Sequence, residues 1–185
     1  MDFGGGTGGF SMAMAPLVGQ VESVDISSNF VEKGRAAVAV SPHKNINMHH
    51  IGAKLPFADE TFDAIVMVDL VHHLDDVDET MTETMRVLKK GGRLLVFEPN
   101  KLNALLSFMC LLDRNEWGLL RLGTPWIYRK ILGPYIAIDK LEFNGLLVGP
   151  DSKGALAIAD QLDHGMLSPL FKWMSPKMFI TGVKK

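Results

Sequence analysis

The chain has 185 residues, 47% of them hydrophobic and 22% charged, enough for one domain with a sizeable core. A net charge of −2 gives no general pull toward nucleic acid or an anionic membrane. The single cysteine, Cys110, excludes an internal disulfide, and no apolar run is long enough to span a bilayer, so a cytoplasmic setting is expected.

Met1-Asp2-Phe3 reads as the end of a strand, and Gly4-Gly5-Gly6-Thr7-Gly8-Gly9 follows at once. Glycine lacks a Cβ, so such a loop can turn tightly and bring its backbone close to a ligand. A helix over residues 8–17 comes next, ending near Pro16. A strand end, a glycine loop and a helix start together aim free N–H groups at a bound group. Residues 21–26 read as a second strand with Asp25 near its tip, placed to accept both hydroxyls of a ribose. Ser27 or Ser28 caps a helix over about 28–39. Residues 46–51 are a weak third strand. Residues 62–70 form an apolar run suited to a strand buried on both faces. Asp76 and Glu79 suggest a capping box, followed by a helix with Val77, Met81, Met85 and Leu88 on one face and a stop at Gly91-Gly92. Residues 93–98 are the next strand. Strands alternating with helices indicate an α/β domain with a parallel sheet.

Beyond Pro99 the pattern changes. Residues 101–133 read as broken helices, 141–148 as a strand, 153–174 as further helix and 177–183 as a last strand. No linker or repeat divides the chain, so residues 1–185 are read as a single domain with a ligand-binding half (1–100) and an acceptor or lid half (101–185).

Asp2-Phe3-Gly4-Gly5-Gly6-Thr7-Gly8, Val24-Asp25-Ile26-Ser27, the run Leu55 to Asp63 with Val71-His72-His73-Leu74, and Leu88 to Leu95 resemble, in order and spacing, the motifs of class I S-adenosylmethionine-dependent methyltransferases of the small-molecule type. The resemblance covers roughly residues 1–100. It implies a doubly wound, mostly parallel Rossmann-like methyltransferase fold with a helical insert on the acceptor side, and S-adenosylmethionine as cofactor. It implies cofactor contacts from Asp2, Gly4, Gly5, Gly6, Asp25, Ile26, Ile51 and Asp69. Asp2 would orient the methionyl part, Asp25 hold the ribose and Asp69 line the methyl-transfer centre. The family often places an acid after its third strand for the adenine amino group; Ile51 and Gly52 stand there instead, which leaves adenine to backbone and apolar contact. The family also carries a helix and a fuller strand ahead of the glycine loop, so the chain reads as truncated at its N-terminus, at a cost in stability.

The same glycines satisfy a dinucleotide fingerprint, so an NAD(P)-dependent oxidoreductase is the rival enzyme and an inactive cofactor-binding remnant the non-enzyme alternative. His72 and His73 are candidate general bases. Together with His49-His50 they lack the spacing of a zinc motif, so no metal is expected. The apolar content of residues 101–135 and 153–174 predicts that the two segments pack over Asp69 as a pocket for a small or lipid-like acceptor rather than nucleic acid; a homodimer interface would use the same residues.

Overall fold

The computed structural model describes residues 1–52, 54–144, 154, 157, 160, 165 and 172–185. A seven-stranded sheet organises them: β1 (Asp2–Phe3), β2 (Val21–Asp25), β3 (Ile46–His50), β4 (Phe62–Val68), β5 (Leu88–Pro99), β6 (Ile136–Asn144) and β7 (Lys177–Lys184), in the order β3-β2-β1-β4-β5-β7-β6. The first five run parallel, and β7 is antiparallel to both β5 and β6. The order reverses at β1, where the chain leaves toward β2 on one side and β4 on the other. Ligands of open α/β sheets bind at such a switch point, outside the carboxyl ends of the strands.

Helices α1 (Gly9–Met14), α2 (Ser28–Val40) and α3 (Val77–Val87) cover the parallel half, and α4 (Ala104–Leu112), α5 (Trp117–Leu122) and α6 (Pro125–Leu132) follow β5. The expected caps are present: the Ser27 hydroxyl accepts from Phe30 N and the Asp76 carboxylate from Glu79 N. The core holds Val24, Ile65, Met67, Met81, Leu94 and Ile180, none more than 1% exposed. β1 is only two residues long, yet it pairs with both neighbours, Asp2 opposite Ser23 and Val66. The Met1 amine continues this edge by donating to Ala64 O at 2.8 Å. Below it β2 and β4 run on past β1, and a cleft of about 400 Å³ opens between Val21 and Glu22 on one side and Phe62 and Ala64 on the other.

Three expectations are corrected. Helix α3 ends at Val87 rather than at Gly91-Gly92, because Leu88 is fully buried in an extended conformation and pairs with Phe62. The strand expected at 141–148 starts at Ile136, where Ile136 to Ile138 already pair with β7. The first helix is shorter than 8–17: it gives way to a 3-10 turn over Ala15–Leu17, which takes in Pro16. The helical insert expected at 153–174 lies largely outside the described residues. No described helix is long and apolar enough to cross a membrane.

Candidate active site

The glycine loop leaves β1 through three residues of positive φ: Gly4 (75°), Gly6 (55°) and Gly8 (83°). Gly4 N and Gly5 N both donate to Val24 O, which folds the loop back over β2. A Cβ on Gly5 would lie 2.0 Å from Ser23 Oγ and 3.0 Å from Asp2 Oδ2, so the loop needs glycine there for close packing. A Cβ on Gly6 would meet nothing within 4 Å: its outer side is open.

Asp25 holds this loop. Its Oδ2 accepts from Gly6 N at 2.9 Å and its Oδ1 from Ser27 N at 2.8 Å. Each carboxylate oxygen has a further lone pair, so two more hydrogen bonds can be accepted without breaking these. Ile26, beside it, is 74% exposed.

Asp2 lies beneath the loop, 1% exposed, and accepts from Ser11 Oγ at 2.5 Å. Burial pushes its carboxyl above the ordinary range, against the lowering effect of the Ser11 hydroxyl. It therefore supports the loop from inside and does not line an open surface, a change from its expected place. Ile51 is likewise turned into the core, with Leu55 as a fellow member of the same cluster, and reaches the site only through its backbone, Ile51 N donating to Asp25 O.

On the other side of the switch point, Asp69 ends the β4 turn with φ of 50°, and its carboxylate pairs with Lys177. Leu70 links the two sides, since a Cβ on Gly4 would lie 2.8 Å from its Cδ1. A cavity of about 320 Å³ begins at Asp69, His72 and His73. Leu106, Cys110 and Leu119 give it apolar walls, and Glu116 and Lys177 stand at its rim. The helical segment after β5 thus lies over Asp69, as expected. The contribution expected from 153–174 falls mostly outside the described residues. Leu105 (70%) and Phe108 (60%) of α4 face outward.

Beneath the cavity is a group that reading the sequence missed. Glu98, fully buried at the end of β5, accepts four hydrogen bonds: from Leu70 N (2.9 Å) and Val71 N (2.7 Å) on Oε1, and from His72 Nδ1 (2.6 Å) and Tyr128 OH (2.9 Å) on Oε2. Four donors converging on two oxygens is the pattern of a carboxylate anion, and it fixes the His72 proton on Nδ1. His72 Nε2 is left facing the cavity side, 3.4 Å from Glu116 Oε2 but not hydrogen-bonded to it. Burial alone would lower the His72 pKa; the Glu98 hydrogen bond and charge, helped by Glu116 and Asp69, outweigh it and hold the imidazole above its usual value. Burial and the same Glu98 charge push the Tyr128 phenol upward. One signal for Glu98 was available in the sequence, a carboxylate closing the apolar run Leu94-Leu95-Val96-Phe97. Glu116 carried none.

A switch-point crevice with a glycine loop, a strand-end acid and a neighbouring cavity defines a nucleotide-cofactor site of the Rossmann-like class. The comparisons place it more closely. Residues 1–96 match the family model described as "Methyltransferase domain", and the chain belongs to that family. A demethylmenaquinone methyltransferase of Symbiobacterium thermophilum is 38% identical over 106 residues, covering 55% of this chain and 42% of that protein. The ubiquinone/menaquinone biosynthesis C-methyltransferase UbiE of Haemophilus ducreyi is 42% identical over 106 residues, covering 55% of this chain and 41% of that protein. The chain thus spans less than half the length of these relatives. Among solved structures, a SAM-dependent methyltransferase from Aquifex aeolicus superposes with a TM-score of 0.69 at 17% identity, covering 98% of this chain and 79% of that one. The YcgJ protein of Bacillus subtilis gives 0.67 at 21% identity, covering 100% and 90%. These likenesses establish the Rossmann-like methyltransferase fold, and the family match favours it over the oxidoreductase reading.

Proposed function

We propose that this chain transfers the sulfonium methyl group of S-adenosylmethionine to an apolar, ring-bearing acceptor of the quinol type. The observation that carries the reading is the adjacency of two unlike spaces. One is the open outer face of Gly6 beside Asp25; the other is the apolar-walled cavity at Asp69, with Leu70 between them. The names of the two curated relatives cited above, both concerned with quinones, support the acceptor class.

The residues fit the cofactor. Asp25 has lone pairs to spare for ribose hydroxyls, and Gly4 and Gly6 let the backbone come close. Exposed Ile26 offers an apolar face to adenine in place of Ile51. Asp2 acts from below, as a carboxylate that fixes the loop and adds negative potential under the methionyl end. The cofactor supplies a methyl group on a positively charged sulfur, already a good leaving group. Held there, it would supply that methyl group to a carbon or oxygen of the acceptor, with the acceptor's proton passing to water or to a basic group at the cavity. The protein's share is alignment and exclusion of water. Leu106, Cys110 and Leu119 exclude water, Asp69 and Lys177 border the transfer point, and His72 with His73 supplies the polar groups that meet the acceptor's oxygen. We assign the reaction to the cytoplasm, at whatever surface presents the acceptor, and leave the exposed face of α4 as the candidate homodimer contact.

Incubation with methyl-labelled S-adenosylmethionine and a series of demethylated quinols with side chains of increasing length tests this. Label should enter the ring product, more efficiently with an apolar side chain. Binding of the cofactor without transfer to any of the series would instead support the inactive-remnant reading.

A further inference from the structure

We propose that His72, His73 and Glu116 form a binding site for a divalent first-row transition cation at the rim of the acceptor cavity. No such site is expected from spacing, since His72-His73 with His49-His50 match no zinc motif. The fold brings His72, His73 and Glu116 together. One ligand atom from each of the three lies within 4.8 Å of the others.

His72 is the anchor. It is 2% exposed, and among the described residues its Nε2 is one of four buried side-chain polar atoms without a hydrogen-bond partner, the other three being hydroxyls. A buried imidazole nitrogen without a partner is costly unless something binds it. Its Nδ1 donates to Glu98 at 2.6 Å, so in the neutral imidazole Nε2 is the nitrogen that offers a lone pair to a cation. A carboxylate behind a histidine whose other nitrogen is free is the arrangement that orients metal-ligating histidines and raises their basicity.

The separations suit a cation. Two ligands at ~2.0–2.1 Å from a tetrahedral centre lie about 3.3–3.4 Å apart, and His72 Nε2 stands 3.4 Å from Glu116 Oε2. The His73 ring lies against that of His72, centroids 3.9 Å apart with the planes tilted by 42°, and is exposed at the rim. The backbone holds Glu116 in place: Gly118, at the start of α5, packs so closely on the turn carrying the histidines that a Cβ there would lie 1.7 Å from His72 O. Two imidazoles and one carboxylate favour Zn²⁺, Co²⁺ or Fe²⁺ over Mg²⁺ or Ca²⁺, which prefer all-oxygen sets. Three protein ligands leave a coordination position open, here toward the cavity. A cation in that place binds the acceptor's oxygen and stabilises its deprotonated form. That role rests on the methyl-transfer reading; the site itself does not.

The test is titration of the whole chain with Zn²⁺ by calorimetry and with Co²⁺ by visible absorption, followed by S-adenosylhomocysteine binding on the same samples. One equivalent of metal should bind, with the intense d–d bands of a four-coordinate Co²⁺ site. His73→Ala and Glu116→Gln, both at accessible positions, should each weaken uptake at least 10-fold while keeping the wild-type melting curve. Glu98→Gln should weaken it by roughly 10–100-fold through His72. His49→Ala should change nothing. Absence of uptake overturns the proposal in favour of a proton held between His72 and Glu116. Unchanged affinity in both His73→Ala and Glu116→Gln, or loss in His49→Ala, also overturns it. Metal binding without S-adenosylhomocysteine binding would retain the site and remove the methyl-transfer reading instead.

Discussion

The two sides of the β1 switch point are built on different principles. The loop side is made of backbone: three glycines of positive φ, two amides folded onto Val24 O, and Asp25 tying Gly6 N to Ser27 N. The cavity side is made of side chains drawn from distant positions, with Glu98 gathering Leu70, Val71, His72 and Tyr128. A backbone site presents N–H groups and open space, which suits a cofactor common to many reactions. A side-chain site can be rebuilt residue by residue, which suits the partner that differs from one reaction to the next.

The sharpest way to break the cavity side is to remove its hub. Glu98→Ala leaves the His72 Nδ1–H, the Tyr128 hydroxyl and two backbone N–H groups buried without their acceptor. A loss of about 3–5 kcal/mol is expected by urea denaturation, the scale for breaking a buried ionic pair. A loss below ~1 kcal/mol would mean that the four hydrogen bonds do not organise this side. The matching change on the loop side is Asp25→Ala. It should weaken S-adenosylhomocysteine binding by about 1.5–3 kcal/mol, roughly 10–150-fold, the range for charge-assisted hydrogen bonds. Unchanged affinity would detach Asp25 from the cofactor.

Gly118→Ala probes how closely the two sides are joined. The added methyl meets the His72 carbonyl, a backbone atom that cannot swing away, so α5 must shift. We expect a cost of about 1–3 kcal/mol, as for overpacking, with cofactor affinity kept. Equal loss of both would show that the halves form one rigid unit.

The smallest effect concerns Asp2. Its carboxyl titrates higher in the folded chain than in the unfolded one, because it is buried. The folded state therefore binds more protons over that interval. Its contribution to stability is complete below the unfolded pKa of ~3.9 and declines as pH rises through the raised folded value. Asp2→Asn can still accept from Ser11 and removes this decline. Urea midpoints of variant and wild type should diverge in the variant's favour from about pH 4 upward; parallel curves would mean that Asp2 titrates alike in the folded and unfolded chain.

This contrast also explains what could be read in advance. The loop, Asp25, the Ser27 and Asp76 caps and the alternation of strands and helices are local in sequence, and each follows from the conformational or hydrogen-bonding preference of the residues concerned. Leu88 misled because a fully buried position beside Phe62 outweighed the helical periodicity that included it. Ile51 follows the edge strand β3 directly, but its side chain turns into the core, where an isoleucine gains more than at an open surface. Glu98 and Glu116 meet His72, and Tyr128 meets Glu98, only through the sheet and the helices beyond β5, and no short-range pattern encodes those encounters.

We assign the glycine loop and Asp25 to a methyltransferase cofactor. Calorimetric titration of the chain with S-adenosylhomocysteine and, separately, with NAD tests this assignment most directly. One equivalent of S-adenosylhomocysteine should bind, and NAD should give no heat. Binding of NAD in its place would contradict the assignment.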